Sequence, residues 1–114
     1  MAAVALAGCG GQGGSRIFED PHGTISVKPG TAFALSLPEN SGVGFTWRLA
    51  EKPAGGVVDS TGESYKPERE NLPGSGSRHR FEFRARHAGR TRIRLRESFR
   101  GRPRARRTVI VEVR

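Results

Sequence analysis

The side chains that most readily do chemistry are thinly spread in this chain. His22, His79 and His87 lie far apart, and the single cysteine, Cys9, sits near the start. Asp20, Asp59, Glu63 and Glu68 fall singly beside turn signals, where each reads as a solvated turn residue. No histidine or cysteine spacing of the zinc-site kind occurs, and no glycine-rich run ends in Gly-Lys-Ser/Thr. With no nucleophile–base pair, metal cluster or phosphate cradle in the pattern, neither catalysis nor a cofactor is expected. What the sequence offers instead is recognition by shape. Residues 39–47 read Glu-Asn-Ser-Gly-Val-Gly-Phe-Thr-Trp and end in the only tryptophan. Asn and Gly favour tight, partly left-handed backbone, because Gly has no Cβ and Asn hydrogen-bonds locally. Phe45 and Trp47 stand at period 2, so both can point into one apolar layer and anchor the loop at its exit. A loop held in this way loses little freedom when it docks.

Such a loop needs a stiff frame, and the flanking pattern supplies one. Residues 24–27 alternate and are followed by the turn Lys28-Pro29-Gly30. Residues 31–37 put Phe33, Leu35 and Leu37 on one face, and residues 45–49 do the same with Phe45, Trp47 and Leu49. Between 51 and 72 glycines and prolines interrupt the pattern, leaving short strands near 57–58 and 64–66. Residues 78–86 place Phe81, Phe83 and Ala85 on one side and Arg78, Arg80, Arg84 and Arg86 on the other. His87-Ala88-Gly89 turns the chain, and residues 90–96 repeat the arrangement with Thr91, Ile93 and Leu95 inside. Val109, Val111 and Val113 close it. About seven strands with turn signals between them, and no helical period, predict an all-β antiparallel sandwich.

At 114 residues there is one domain, and a hydrophobic content of 34% with 16 glycines and 7 prolines suits a small-core β protein. No apolar run reaches the roughly 20 residues of a membrane-spanning helix. One cysteine allows no internal disulfide, so packing alone must hold the fold. The net charge of +9 is uneven: residues 78–114 hold 14 Arg against 3 Glu, or +11, and the rest of the chain carries −2. That field favours acidic partners. The arginines alternate with core residues and have no aromatic side chains between them on the exposed face, so nucleic acid is not the expected partner. Outward arginines also guard a sheet against edge-to-edge pairing.

The segment Asn40-Ser41-Gly42-Val43-Gly44-Phe45-Thr46-Trp47 resembles the central loop of the chagasin-type inhibitors of papain-like cysteine proteases, usually Asn-Pro-Thr-Thr-Gly-aromatic-x-Trp. Asn40, Gly44, Phe45 and Trp47 match, and Ser41, Gly42 and Val43 replace Pro-Thr-Thr. The family's second loop, Gly-x-Gly-Gly before an aromatic strand, is similar to Gly74-Ser75-Gly76-Ser77, with Ser77 for the last glycine. Its third loop, Arg-Pro-Trp, has a weaker counterpart in Glu97-Ser98-Phe99-Arg100-Gly101-Arg102-Pro103-Arg104. Ungapped alignment sets Phe99, Arg100 and Gly101 there; a shift of three matches Arg102 and Pro103 instead. Neither alignment supplies the tryptophan.

The resemblance covers roughly residues 23–114 and implies an immunoglobulin-like sandwich with the three loops side by side at one end. It also implies a monomeric, reversible inhibitor that occludes a papain-like cysteine protease, with residues 40–44 nearest the catalytic cysteine. Two other readings of the residues stay open: a sandwich domain that interacts with other proteins without inhibiting, and a basic module for nucleic acid or an acidic polymer.

Ahead of the domain, Leu6-Ala7-Gly8-Cys9 resembles a bacterial lipobox, and residues 10–15 read as a Gly-rich tether. The positively charged region and full apolar stretch of a signal are incomplete here. The expected division is residues 1–16 as signal remnant and tether and 17–114 as the domain. Given an upstream signal, lipid on Cys9 would put the domain at the bacterial cell envelope, anchored or secreted.

Overall fold

A computed structural model describes residues 15–67 and 76–114. Alternating apolar residues build eight strands there: β1 (Ser15–Glu19), β2 (Gly23–Val27), β3 (Ala32–Glu39), β4 (Phe45–Glu51), β5 (Val58–Pro67), β6 (Ser77–Ala85), β7 (Gly89–Phe99) and β8 (Arg102–Val113). No helix occurs among the described residues. The strands form two four-stranded sheets, ordered β1-β3-β6-β5 and β2-β8-β7-β4. Their facing sides bury Phe33, Leu35 and Leu37 against Phe81, Phe83 and Ala85, and across the layer Ile93, Leu95, Val109, Val111 and Val113. Phe33 stacks on Phe83 at 5.4 Å between ring centroids, and Phe18 meets the edge of Phe33 at 6.2 Å. Each such side chain contributes about 1.5–3 kcal/mol on burial, and without a disulfide these contacts hold the two layers together.

Three expectations change. The sandwich is mixed rather than antiparallel, because β1 pairs in parallel with β3 and β2 in parallel with β8. The crossing at Asp20-Pro21-His22 carries the chain from one sheet edge to the other. It is tied by the Asp20 N–H donating to the Ser36 carbonyl (2.8 Å) and by Arg107 Nη1 donating to the Pro21 carbonyl (2.9 Å). β1 begins at Ser15, two residues before the expected start of the domain; its Ile17-Phe18 pair is too short to display alternation. The two short strands expected near 57–58 and 64–66 are one strand, β5, kept in register with β6 by a bulge between Ser60 and Gly62.

The arginines of β7 alternate outward as the pattern requires, with Arg90, Arg92, Arg94 and Arg96 exposed and Thr91, Ile93 and Leu95 buried. At the far end Arg86 Nε donates to Asp59 at 2.7 Å, and that bond holds the Asp59 carboxyl below its ordinary range. The register also fixes which turns are neighbours. Glu39 faces Ser77, and Phe45 faces Phe99, which faces Arg102. The β3–β4 turn, the start of β6 and the β7–β8 turn therefore share one end of the sandwich.

Candidate functional site

The first loop, residues 41–44, is closed on itself. The Asn40 carbonyl accepts the N–H groups of Val43 (3.1 Å), Gly44 (3.0 Å) and Phe45 (3.0 Å), and the Asn40 N–H donates to the Phe45 carbonyl at 3.1 Å. Val43 stands at the tip and is 48% exposed. Gly44 has φ of +110°, a left-handed value that side-chain-bearing residues rarely adopt. Below the loop Trp47 is buried, and its Nε1–H donates to the Pro38 carbonyl at 3.0 Å. Phe45 is only half-buried, at the margin of the apolar layer rather than within it.

The third loop is the shortest that two strands allow. Arg100 (φ +51°) and Gly101 (φ +83°) form a two-residue hairpin turn of the type I′ kind, which matches the twist of the flanking strands. Phe99 therefore ends β7 and Arg102 and Pro103 begin β8, so the Arg-Pro pair lies in a strand and not at the tip. Opposite Pro103, which has no N–H to offer, the pairing slips between Glu97 and Ser98. Rings and guanidinium groups stiffen this end. Phe45 packs on Phe99 at 4.6 Å, Arg100 lies over Phe99 at 5.0 Å, and Arg104 over Phe45 at 4.8 Å. Each cation–π contact contributes about 0.5–1 kcal/mol at such exposure.

One bond and one close approach hold the loops beside one another. The Arg100 N–H donates to the Gly44 carbonyl at 2.8 Å, joining the third loop to the first. On the other side Gly76 (φ +91°) runs so close to the first loop that a Cβ there would meet the Glu39 carbonyl at 3.2 Å and Asn40 Nδ2 at 3.5 Å. Between the loops lies an open recess of about 320 Å³, lined by Pro38, Asn40, Phe45, Gly76 and Glu97 among others. The arrangement offers a projecting backbone loop, an apolar shelf and positive charge, and so can bind another protein by shape.

Beneath the first two loops is a buried polar network that the sequence reading missed. His79 is 2% exposed; its Nδ1 lies 2.8 Å from Glu39 Oε1 and its Nε2 2.7 Å from Glu63 Oε1. Ionised carboxylates only accept, so both bonds are complete when the ring carries both protons. Glu39 Oε1 also accepts the Trp47 N–H at 2.8 Å, which links β3, β4, β5 and β6 just under the loops. Tyr65 covers His79 at 4.3 Å, and Phe81 stacks on its other side at 4.1 Å. The packing of the phenol, followed by the charges of Glu39 and Glu63, raises Tyr65 above its usual 10.0. Glu63 is thus a strand residue with a partner, not a solvated turn residue. The signal was available: His79 shares its parity with Phe81 and Phe83, and Glu39 with Leu35 and Leu37.

Of the residues expected at the site, Asn40, Ser41, Gly42, Val43, Gly44, Phe45, Gly76, Ser77, Phe99, Arg100, Arg102 and Pro103 all occur at this end, and Trp47 lies under it. Gly74, Ser75 and Cys9 lie outside the described residues, as does Glu68. Among the described residues no group of three His, Cys, Asp or Glu side chains is placed to hold a metal ion.

A family model for the chagasin family peptidase inhibitor I42 matches residues 26–113. No curated protein sequence matches the chain. Similar solved structures include the cysteine protease inhibitor EhICP2 from Entamoeba histolytica, with a TM-score of 0.70 at 18% identity over 89% of this chain and 96% of that one. Amebosin in solution gives 0.67 at 20% identity, over 90% and 100% of the two chains. PbICP-C, solved in complex with falcipain-2, gives 0.56 at 16% identity over 99% and 94%. At these identities the likeness to the solved structures is one of fold.

Proposed function

The chain belongs to the chagasin family of peptidase inhibitors, and from that premise we propose that it inhibits papain-like cysteine proteases reversibly, by seating its three-loop end in the active cleft. Residues 40–44 then lie nearest the catalytic cysteine. Gly76 and Ser77 flank them on one side, and Phe99, Arg100, Arg102 and Pro103 on the other. The observation that carries the reading is the pair of contacts joining the loops, Arg100 N–H to the Gly44 carbonyl and Gly76 against Asn40. The first and third turns, bonded to each other with Gly76 close beside them, dock as a single rigid edge, and the ordering entropy lost on binding is small. A substrate must extend across the nucleophile, whereas residues 41–44 are closed by bonds from Asn40 to Phe45, which opposes cleavage.

With no tryptophan in the third loop, apolar contact on that side falls to Phe99, already packed on Phe45. Affinity therefore rests mainly on the first loop and on Arg100. EhICP2 is a cysteine protease inhibitor, and PbICP-C binds falcipain-2; both support the partner class. The inhibitor acts as a monomer without cofactor. Lipid on Cys9 would hold it at a bacterial cell envelope, and palmitate labelling lost in Cys9→Ser tests that location.

The test of inhibition is a titration of papain with the full chain at several concentrations of a fluorogenic peptide. Competitive inhibition, with the chain recovered intact, is expected. An unaltered rate at micromolar inhibitor would contradict the proposal.

A further inference from the structure

Resting on the inhibitor reading, we propose that the outer face of the second sheet carries a charge-reading surface, Arg48, Arg96 and Arg106, that selects proteases with an acidic flank beside the cleft. Arg48 pairs with Arg96 across β4 and β7, and Arg96 with Arg106 across β7 and β8. Adjacent strands are about 4.8 Å apart, so three exposed guanidinium groups rise from a line roughly 10 Å long. Like charges set directly opposite one another repel and destabilise a sheet. Elsewhere on this face the repulsion is relieved: Arg90 and Arg114 reach Glu112 (3.3 and 3.6 Å), and Arg92 and Arg94 reach Glu51 (3.4 and 3.3 Å). The row has no such carboxylate among the described residues. Beside it an open recess of about 380 Å³, walled by Ala50, Glu51, Arg94, Arg96, Arg106 and Thr108, has room for a carboxylate side chain. The Glu51 carboxylate in its wall is bound to Arg92 and Arg94, which leaves Arg96 and Arg106 to face the recess.

The position of the row identifies the occupant. It lies three residues back from Phe45 and from Phe99, and four from Arg102, so it is roughly 10 Å from the loop bases. A protein seated on the loops brings its flank to within about a Debye length, 8 Å, of these charges. Arg90, at the other end of β7, is roughly 30 Å from the turn. The neighbours of the row on the outer face include Thr46, Ser98, Ala50, Arg94 and Thr108, none of them aromatic, so nucleic acid bases would find nothing to stack on. Charges at the margin of an interface act chiefly on association rate and on the choice of partner.

The experiment uses the full chain, a row variant (Arg48→Gln, Arg96→Gln, Arg106→Gln) and a distal variant (Arg90→Gln, Arg92→Gln, Arg114→Gln) that loses the same charge. Stopped-flow association is measured with papain and with papain carrying added glutamates beside its cleft, at low and high NaCl. The wild type is expected to bind the acidic enzyme faster. The row variant should lose about tenfold of that rate at low salt, and the loss should shrink as salt rises. The distal variant should stay within about twofold of wild type. The row variant should also unfold at the same or a higher urea midpoint, since like charges have been removed.

Equal losses in both variants would reduce the effect to net charge and overturn the proposal, as would unchanged rates. Capture of a sulfated or phosphorylated polymer by the row, with protease kinetics unaltered, would overturn it too. If the wild type inhibits neither enzyme, the inhibitor reading itself fails, an outcome distinct from inhibition that ignores the row.

Discussion

Replacing Gly44 with alanine loads the junction of the first and third loops with a single methyl group. The backbone there has φ of +110°, and an L-residue held in that region costs about 1–2 kcal/mol. The new Cβ would lie 2.8 Å from Arg100 Cγ, closer than two carbons can stand, so the Arg100 side chain must swing aside. That movement takes the guanidinium off the Phe99 ring, a contact contributing about 0.5–1 kcal/mol. The same Cβ is 3.5 Å from the Arg100 nitrogen, an ordinary contact, so the bond from that N–H to the Gly44 carbonyl can persist. The expected cost is therefore about 2 kcal/mol, a factor of roughly thirty in the folding equilibrium.

Gly42→Ala is the matched control. Its φ is not left-handed, and its added Cβ would find Asn40 Oδ1 at 3.4 Å, so stability should stay within about 0.5 kcal/mol of wild type. Urea unfolding of the two variants measures the difference, with an unchanged slope showing that the unfolded ensembles match. Titration of papain with Gly44→Ala should also show inhibition about tenfold weaker if, as proposed, Gly44 and Arg100 lie in the contact surface. Equal urea midpoints for the two variants would refute the argument about the junction. Full inhibition by a destabilised Gly44→Ala would refute the role of the junction in binding.

His79→Phe should cost about 3 kcal/mol despite the apolar exchange, because it leaves the buried Glu39 carboxylate without its ring partner. Glu63→Gln should cost less than about 1 kcal/mol, since that side chain is 51% exposed; urea unfolding reads both, and equal costs would contradict the ranking. Trp47→Phe should lose about 1–2 kcal/mol, part of it the bond to the Pro38 carbonyl, with little change in the inhibition of papain once folded. Tyr65 is the only tyrosine, so its ionisation can be followed by ultraviolet absorbance, with a midpoint above 10.0 that moves down in Glu63→Gln. A raised folded value contributes stability that is complete below the unfolded pKa and lost as pH rises through the folded one, so the domain should weaken in alkali and not in acid on this account. A midpoint at or below 10.0 would contradict it.

Much of the frame could be read from parity. Residues 78–86 and 90–96 alternate so regularly that Phe81, Phe83, Ile93 and Leu95 could be placed in the core without coordinates. The same rule applied to polar residues would have put His79 and Glu39 inside. It was hidden because His and Glu carry no apolar signal, and their pairing spans forty positions. β1 was illegible because parallel pairing with β3 depends on the crossing at Asp20-Pro21, which leaves no turn motif of the hairpin kind. The third loop was readable in composition but not in geometry. Arg-Pro at 102–103 attracts the alignment, whereas the turn is made by Arg100 and Gly101, and only the register of β7 with β8 distinguishes the two.

The central claim is that one end of the sandwich, and no other surface, enters the protease. Amide hydrogen exchange of the full chain, free and bound to papain, reads this directly. Protection is expected at residues 41–45, at Gly76 and Ser77, and at 99–102, with none added at 28–31 or 86–89 on the opposite end. Inhibition accompanied by protection at 28–31 and 86–89, with the Asn40–Gly44 loop exchanging as in the free chain, would contradict the claim.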